Sequence, residues 1–192
     1  MTTISKIHEM ALGAHDLISL GLLKNHIHVL NGEIDENSIG EALKWIIFEN
    51  ADEKEKELTL YINSTGGDLC DAFALIDIMH RSKYKIRTIG TGSVMSAAFL
   101  IFIAGAKGHR YLGRNTSILC HQFAEKNEAE RKYHDLKASL RENESMHNRI
   151  IDLIKECTDL SPKVIKAKLL PPSDVWLSAD EALKLGITDH IL

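Results

Sequence analysis

The sequence predicts an α/β fold with a largely parallel sheet, and three observations support this. Short runs of β-favouring apolar residues alternate with stretches in which apolar residues recur every three or four positions. The connections between them are short, and no proline occurs before Pro162. With 192 residues, 44% hydrophobic and 26% charged, the composition is that of an ordinary globular domain. We therefore expect one domain over residues 1–192, with right-handed crossovers between parallel strands.

The first strand–helix–strand unit lies between residues 26 and 67. Residues 26–30 alternate in polarity and predict a strand that ends in a turn at Asn31-Gly32. Apolar residues at helical spacing predict an amphipathic helix over 37–48. A buried strand is predicted at 58–62, and residues 63–67, with their glycine pair, read as a turn.

The same alternation continues through the next 55 residues or so. The helix that follows the glycine pair has an apolar face formed by Ala72, Leu75, Ile76 and Met79. A strand is predicted at 86–89 and a turn at 90–93, after which Ser96 opens an apolar helix. Two further strands are predicted at 110–112 and 117–120.

Residues 123–157 predict a long, charged helix. Its apolar side chains form a single narrow stripe, which favours a protruding helix that meets another subunit. A helix bent around the core of its own domain is the alternative. Near the C-terminus, residues 178–181 form a capping box, Gly186 ends the short helix that follows, and residues 187–192 close the chain as a strand or tail.

Charge and cysteine usage exclude several classes of protein. Lys plus Arg number 23 and Asp plus Glu 27, so the net charge is −4, and we expect no nucleic-acid partner. Cys70, Cys120 and Cys157 form no CxxC pair, which is typical of free thiols in a reducing compartment. The longest apolar stretch, 94–104, is too short for a membrane span, and the N-terminus lacks a leader pattern. A cytoplasmic location without membrane attachment is expected.

Cofactor and metal sites are not predicted. The chain contains neither GxGxxG nor GxxxxGK[ST], so no nucleotide site is indicated. His26 and His28 share one face of a predicted strand, but no cluster of Cys or carboxylates completes a metal site around them.

Four weak signals stand at the predicted ends of strands or in a constrained loop. Gly66-Gly67 leaves N–H groups free near a helix start, although an ordinary βα turn would look the same. Ser96 occupies a strand-to-helix turn, where it is either a nucleophile or a helix N-cap. His121 ends a strand as a general-base candidate or a structural histidine, and Asp174 is an acid or a turn residue.

Together these residues supply a complete set of groups for acyl transfer. Ser96 would supply the nucleophile, His121 the base and Asp174 the acid. The backbone N–H groups of Gly67 and Ala97 are the candidate oxyanion donors.

The order and spacing of these motifs resemble the ClpP family of proteolytic subunits over residues 16–192. Gly67 precedes Ser96 by 29 residues and Ser96 precedes His121 by 25, and both spacings agree with the family without a gap. The strings that carry the resemblance are YINSTGG (61–67), SAAFL (96–100), AGAKG (104–108), HQ (121–122), DVWLSA (174–179), EA (181–182) and GITD (186–189).

The resemblance implies a ClpP/crotonase-like fold of stacked βαβ units with a long protruding handle helix in the 123–157 region. It implies a serine endopeptidase with Ser96, His121 and Asp174 as triad, Gly67 and Ala97 as oxyanion hole, and no metal or other cofactor. It further implies a homo-oligomer of two stacked heptameric rings around a chamber. An AAA+ unfoldase such as ClpX, ClpA or ClpC would feed peptides or unfolded proteins into it.

Several positions depart from the family pattern. Thr65 and Phe123 stand where the family has proline, and Ala97-Ala98 replaces Met-Gly. Residues 124–129 lack the family's glycine-rich strand, and residues 1–15 do not resemble its axial loop. These differences indicate a divergent member, as expected of a phage-encoded protein or a specialised paralogue.

Two other functions fit the same residues. A catalytically silent ring subunit or scaffold would share the fold, although it would not need all three triad residues. A crotonase-like enzyme acting on acyl-CoA thioesters would share the oxyanion amides, but it would not need a serine paired with a histidine.

Overall fold

The computed structural model describes residues 13–51, 53–54, 56–124 and 132–192. The first half of the chain alternates helices and strands: α1 (Ala14–Lys24), β1 (Ile27–Ile34), α2 (Glu36–Asn50), β2 (Leu58–Gly67), α3 (Leu69–Arg81), β3 (Ile86–Met95) and α4 (Ala97–Ile103). The second half contains β4 (Arg110–Leu112), β5 (Ser117–Cys120), α5 (Tyr133–Thr158), α6 (Pro162–Lys168), β6 (Val175–Leu177), α7 (Ala179–Lys184) and β7 (His190–Ile191). The N-terminal segment 1–12 and residues 125–131 of the predicted handle region lie outside the described residues.

The seven strands form one sheet, which confirms the predicted α/β class. The order is β1-β2-β3-β4-β7, and all these neighbours are parallel. Long strand β3 pairs with β4 along its first half and with β5 along its last three residues. Among the described residues one pair of strands is antiparallel, that of β5 with β6.

The three predicted turns at 31–32, 63–67 and 90–93 are wrong. The strands continue through all three positions, so that β2 and β3 each have 10 residues. The registers shift between Asn31 and Glu33 and between Ile62 and Ser64, which shows that glycine and asparagine here make bulges.

The predicted helices are confirmed, and most of their ends shift by a few residues. The long helix predicted over 123–157 differs more, since it begins at Tyr133 and the described residues Phe123 and Ala124 are not helical. In α2 the Asp35 side chain accepts hydrogen bonds from the N–H groups of Asn37 and Ser38, which fixes the start of the helix. All seven residues of α4 are buried, since this helix lies in the centre of the core. The predicted apolar face of α3 is buried, namely Ala72, Leu75, Ile76 and Met79.

The long helix α5 divides its apolar stripe between two environments. In its last three turns Ile150 and Ile154 are buried in the core of the domain. In its first three turns Tyr133, Leu136 and Leu140 are exposed. The prediction of a protruding helix therefore holds for the N-terminal part, and the alternative of a core-packed helix holds for the C-terminal part.

The C-terminal segment is tied to the sheet by one buried ion pair. Asp189 accepts hydrogen bonds from Arg110 Nη2 at 2.7 Å and Nε at 2.9 Å, and from the N–H of Gly108 at 2.8 Å. Burial raises the pKa of Asp189, but these hydrogen bonds outweigh it and hold the pKa below its ordinary value. The predicted capping box of Ser178 and Glu181 is also present.

Three elements, α1, α6 and β6, were not predicted from the sequence. β6 has three residues, and its pattern is too short to carry a period. Within the described ranges no helix is both long and apolar enough to cross a bilayer.

Candidate active site

Ser96 lies between β3 and α4 in a backbone conformation that residues other than glycine rarely adopt. Its φ of 54° and ψ of −122° are those of the first central position of a type II′ turn, which normally requires glycine. Such a backbone costs on the order of 1–3 kcal/mol, and its surroundings must hold it. The Ser96 hydroxyl makes no capping hydrogen bond to α4, so the N-cap alternative does not account for this serine.

His121 follows β5, the strand that pairs with the end of β3. Because Met95 is in register with Leu119, the carboxyl ends of these parallel strands lie side by side. The N–H of Ser96 donates to the Leu119 carbonyl at 2.9 Å, which links the two segments directly. Ser96 and His121 line the same pocket.

The Nδ1 atom of His121 is hydrogen-bonded to the backbone carbonyl of Gln122. A carbonyl oxygen can only accept, so Nδ1 carries the proton in this arrangement. The lone pair of the neutral ring is then on Nε2, as a general base requires.

Asp174 lies at the same edge of the sheet, but no hydrogen bond joins it to His121 in the described part of the chain. The antiparallel register ends with Cys120 opposite Val175, and His121 and Asp174 are the residues that come next on the two segments. Asp174 is exposed, and the Gln122 carbonyl is the partner of His121 Nδ1. The side chain of Gln122 donates to the Leu170 carbonyl at 3.0 Å and so holds the segment that leads to Asp174 against β5.

Gly66 packs directly against the nucleophile candidate. A Cβ atom on Gly66 would lie 2.7 Å from Ser96 Cβ and 2.8 Å from the Met95 carbonyl oxygen. The φ of Gly66 is +98°, and its N–H donates to the buried Ser64 hydroxyl at 3.0 Å. Only glycine permits this close approach of β2 to Ser96.

Gly67 is held from the opposite side by β1. A Cβ atom on Gly67 would lie 2.1 Å from the Ile34 carbonyl oxygen, and the N–H of Asp68 donates to that same oxygen. Since successive N–H groups of a strand point to opposite edges, the N–H of Gly67 faces away from β1 and toward the β3 side. Ala97, the other predicted donor, is the first residue of α4, where no preceding turn supplies an acceptor for its N–H.

The pocket beside Ser96 and His121 has apolar walls contributed by five segments of the chain. Its other lining residues are Leu69, Phe99, Leu100, Cys120, Phe123, Ile150, Ile154 and Leu170. Burial raises the pKa of the Cys120 thiol far above neutral, so this cysteine stays protonated and Ser96 is the nucleophile candidate of the pocket.

The sequence did not predict two features of this site. Ile150 and Ile154 belong to the stripe that was predicted to meet another subunit, and only their position in the last turns of α5 distinguishes them. The Gln122 carbonyl is a backbone group, which no side-chain pattern can indicate. Across the described residues, no group of three or more His, Cys, Asp or Glu side chains could hold a metal ion.

Two comparisons with known proteins agree with this geometry. A family model described as "Clp protease" matches residues 12–192. The ATP-dependent Clp protease proteolytic subunit 2 of Bacillus licheniformis is 29% identical over 181 residues, which cover 93% of this chain and 92% of that protein.

Proposed function

Because this chain belongs to the Clp protease family, we propose that it is the proteolytic subunit of a Clp-type protease and hydrolyses peptides and unfolded proteins with Ser96 as nucleophile. One observation carries the proposal. Ser96 has the strained backbone of a strand-to-helix nucleophile turn, and it shares a pocket with His121 at the paired ends of β3 and β5.

The chemistry follows from the roles of these two side chains. Ser96 Oγ attacks the carbonyl carbon of the scissile peptide bond while His121 Nε2 accepts the hydroxyl proton. The tetrahedral intermediate collapses, the C–N bond breaks, and His121 returns the proton to the leaving amine. Water then attacks the acyl-enzyme while His121 Nε2 accepts its proton, the ester C–O bond breaks, and His121 returns the proton to Ser96 Oγ.

The oxyanion of the intermediate is assigned to the N–H groups of Gly67 and Ala97. The direction of the Gly67 N–H and the position of Ala97 at the first turn of α4 support this assignment. Gly66, packed against Ser96, would set the distance between the two donors.

Asp174 is assigned as the acid that orients His121 when substrate is bound. The register of β5 with β6 supports this role, since Asp174 and His121 directly adjoin its last pair, Val175 and Cys120. The Gln122 carbonyl already favours the tautomer with the lone pair on Nε2. We therefore expect loss of Asp174 to cost less than the roughly 10⁴-fold typical of a triad acid.

The substrate class follows from the apolar pocket next to Ser96. Its walls carry no charged side chain among the described residues, so it favours an apolar side chain on the residue that precedes the scissile bond. Phe99 and Phe123 are the bulkiest side chains of its lining, and we expect them to restrict this position to small side chains such as alanine or valine.

Assembly is proposed from the family and from the exposed part of α5. Tyr133, Leu136 and Leu140 are 66%, 51% and 60% exposed, and a partner helix between two stacked heptameric rings would cover them. An AAA+ unfoldase is the proposed source of unfolded substrate. We also propose that the protein is cytoplasmic and that the reaction needs no cofactor.

The test is labelling by a fluorophosphonate probe, read by intact mass, on protein whose assembly is measured by analytical ultracentrifugation. We expect one adduct per subunit that maps to Ser96 and disappears in Ser96→Ala and His121→Ala. Ser117→Ala is the matched control, because Ser117 is an exposed serine on the neighbouring strand and should not affect labelling.

Two other labelling results would contradict parts of this proposal. No adduct on well-assembled wild-type rings would refute the peptidase proposal and favour a catalytically silent ring subunit. An adduct that persists in His121→Ala would mean that another group activates Ser96.

A further inference from the structure

Strands β2 and β3 separate just before they reach the candidate active site. Ile62 pairs with Gly90, and the next pair is Ser64 with Val94. Three residues of β3 (91–93) therefore oppose a single residue of β2, Asn63. An insertion of this size interrupts the hydrogen-bond ladder between the strands and leaves the register beyond it to be fixed by other groups.

The side-chain amide of Asn63 makes hydrogen bonds to both neighbouring strands where the backbone ladder between β2 and β3 is interrupted. Its Oδ1 accepts the N–H of Ser93 at 3.0 Å, and its Nδ2 donates to Asn31 Oδ1 at 2.7 Å. The orientation of the amide is fixed because a backbone N–H can only donate. One side chain on β2 thus joins β1 and β3 at the level where both strands are irregular.

The backbone of β3 is shaped around this amide. Gly92 has a φ of +61°, and a Cβ atom there would lie 2.5 Å from Asn63 Oδ1. The approach of β3 to the Asn63 amide therefore requires both the left-handed conformation and the missing side chain. The contact between Gly92 and the Asn63 amide is therefore part of the backbone geometry of the bulge.

The two bonded segments lead directly to the groups of the proposed mechanism. Asn63 is three residues before Gly66, and Ser93 is three residues before Ser96. Gly66 in turn packs against Ser96, and the Ser64 hydroxyl holds the N–H of Gly66. A sliding movement of β3 along β2 would carry Ser96 away from Gly66 and Gly67.

We propose that Asn63 is a positioning residue whose side-chain amide fixes the register of the Ser96 segment against the Gly66-Gly67 segment. The inference rests on the proposed function, since it concerns the distance between nucleophile and oxyanion donor. Asn63 itself touches no reacting atom and acts through Ser93.

Three variants separate the two hydrogen bonds of Asn63. Asn63→Ala removes both, Asn63→Asp keeps an acceptor for the Ser93 N–H, and Asn31→Ala removes only the bond to β1. We expect Asn63→Ala to lower the second-order rate constant of fluorophosphonate labelling and kcat about tenfold, with KM changed less than twofold. Asn63→Asp and Asn31→Ala should stay within about threefold of wild type.

Thermal unfolding is measured on the same samples, because a merely stabilising residue would lower Tm without changing the labelling of folded protein. Equal labelling rates in wild type and Asn63→Ala would overturn the inference while leaving the proposed function intact. Asn63→Asp as slow as Asn63→Ala would also overturn it, because the acceptor for Ser93 would then be irrelevant.

Amide hydrogen exchange keeps the inference testable if the wild type does not label. Protection of residues 93–97 should fall in Asn63→Ala and not in Asn31→Ala. Unchanged protection would overturn the positioning role, whereas absent wild-type labelling with reduced protection would remove only the proposed function.

Discussion

Gly66→Ala should lower the activity of the site by displacing Ser96, and the size of the effect can be worked from the packing. The new Cβ atom would lie 2.7 Å from Ser96 Cβ, while ordinary contact begins at 3.4 Å. The two atoms must therefore separate by 3.4 − 2.7 = 0.7 Å. A displacement of about 1 Å at a reacting group costs on the order of 10²-fold, so 0.7 Å predicts a loss of about 30-fold in kcat/KM.

Gly32→Ala is the matched control for this change. Gly32 has a φ of +97°, close to the +98° of Gly66, and a Cβ atom there would meet nothing within 4 Å. Both variants place an alanine at a positive φ, which costs about 1–2 kcal/mol, but only the Cβ atom of Gly66→Ala meets Ser96. Gly32→Ala should lose stability and keep its activity per folded subunit.

The assay is hydrolysis of a fluorogenic peptide together with fluorophosphonate labelling, each normalised to the folded fraction from thermal unfolding. Gly66→Ala with wild-type activity per folded subunit would refute the reasoning, because the nucleophile would then not depend on its distance from β2. Equal activity losses in both glycine variants would trace the effect to backbone strain rather than to contact with Ser96.

Two further predictions concern stability and specificity. Asp189→Asn leaves the 2% exposed Arg110 side chain without its counter-charge and should cost about 3 kcal/mol, or roughly 6–12 °C in Tm at pH 7. Because the pKa of Asp189 is lowered by folding, the contribution of the pair to stability is complete above about pH 4 and is lost as the pH falls through the folded pKa. Urea titrations from pH 7 to pH 3 should show this loss of unfolding free energy in wild type and not in Asp189→Asn. The same pH dependence in both proteins would contradict the assignment. Phe123→Ala should enlarge the pocket beside Ser96 and raise kcat/KM for peptides with phenylalanine before the scissile bond about tenfold relative to alanine; an unchanged ratio in paired fluorogenic peptides would show that Phe123 does not limit the pocket.

Most of the fold could be predicted because the apolar periods are long and consistent. The face of α3 is set by four residues at helical spacing, all of them buried, and strands β4 and β5 have the predicted bounds. In α5, by contrast, one stripe serves both an exposed surface and the core. Periodicity gives the face of a helix but not its partner, so Ile154 and Leu140 could not be distinguished in advance.

The groups at the site could be predicted from their place at strand ends, but their contacts could not. A parallel sheet brings the carboxyl ends of its strands together, so Ser96 and His121 were expected to meet and do line one pocket. The partner of His121 Nδ1 is decided by a few ångströms of local geometry, and here it is the Gln122 carbonyl rather than Asp174.

The three wrong turn predictions identify the edge of the sheet on which the site lies. Residues 31–32, 63–67 and 91–93 belong to the carboxyl-terminal halves of the adjacent strands β1, β2 and β3, and Gly90 lies at the middle of β3. Glycine and asparagine predict turns because they permit irregular backbone. Here the irregular backbone forms bulges within the strands and allows the Asn63 side chain to bond to the N–H of Ser93. In β2 and β3 the irregular backbone leads to the candidate site, because Gly66 packs against Ser96 and the bulge in β3 ends three residues before Ser96. Local rules therefore fail in these two strands where the chain is shaped for the site.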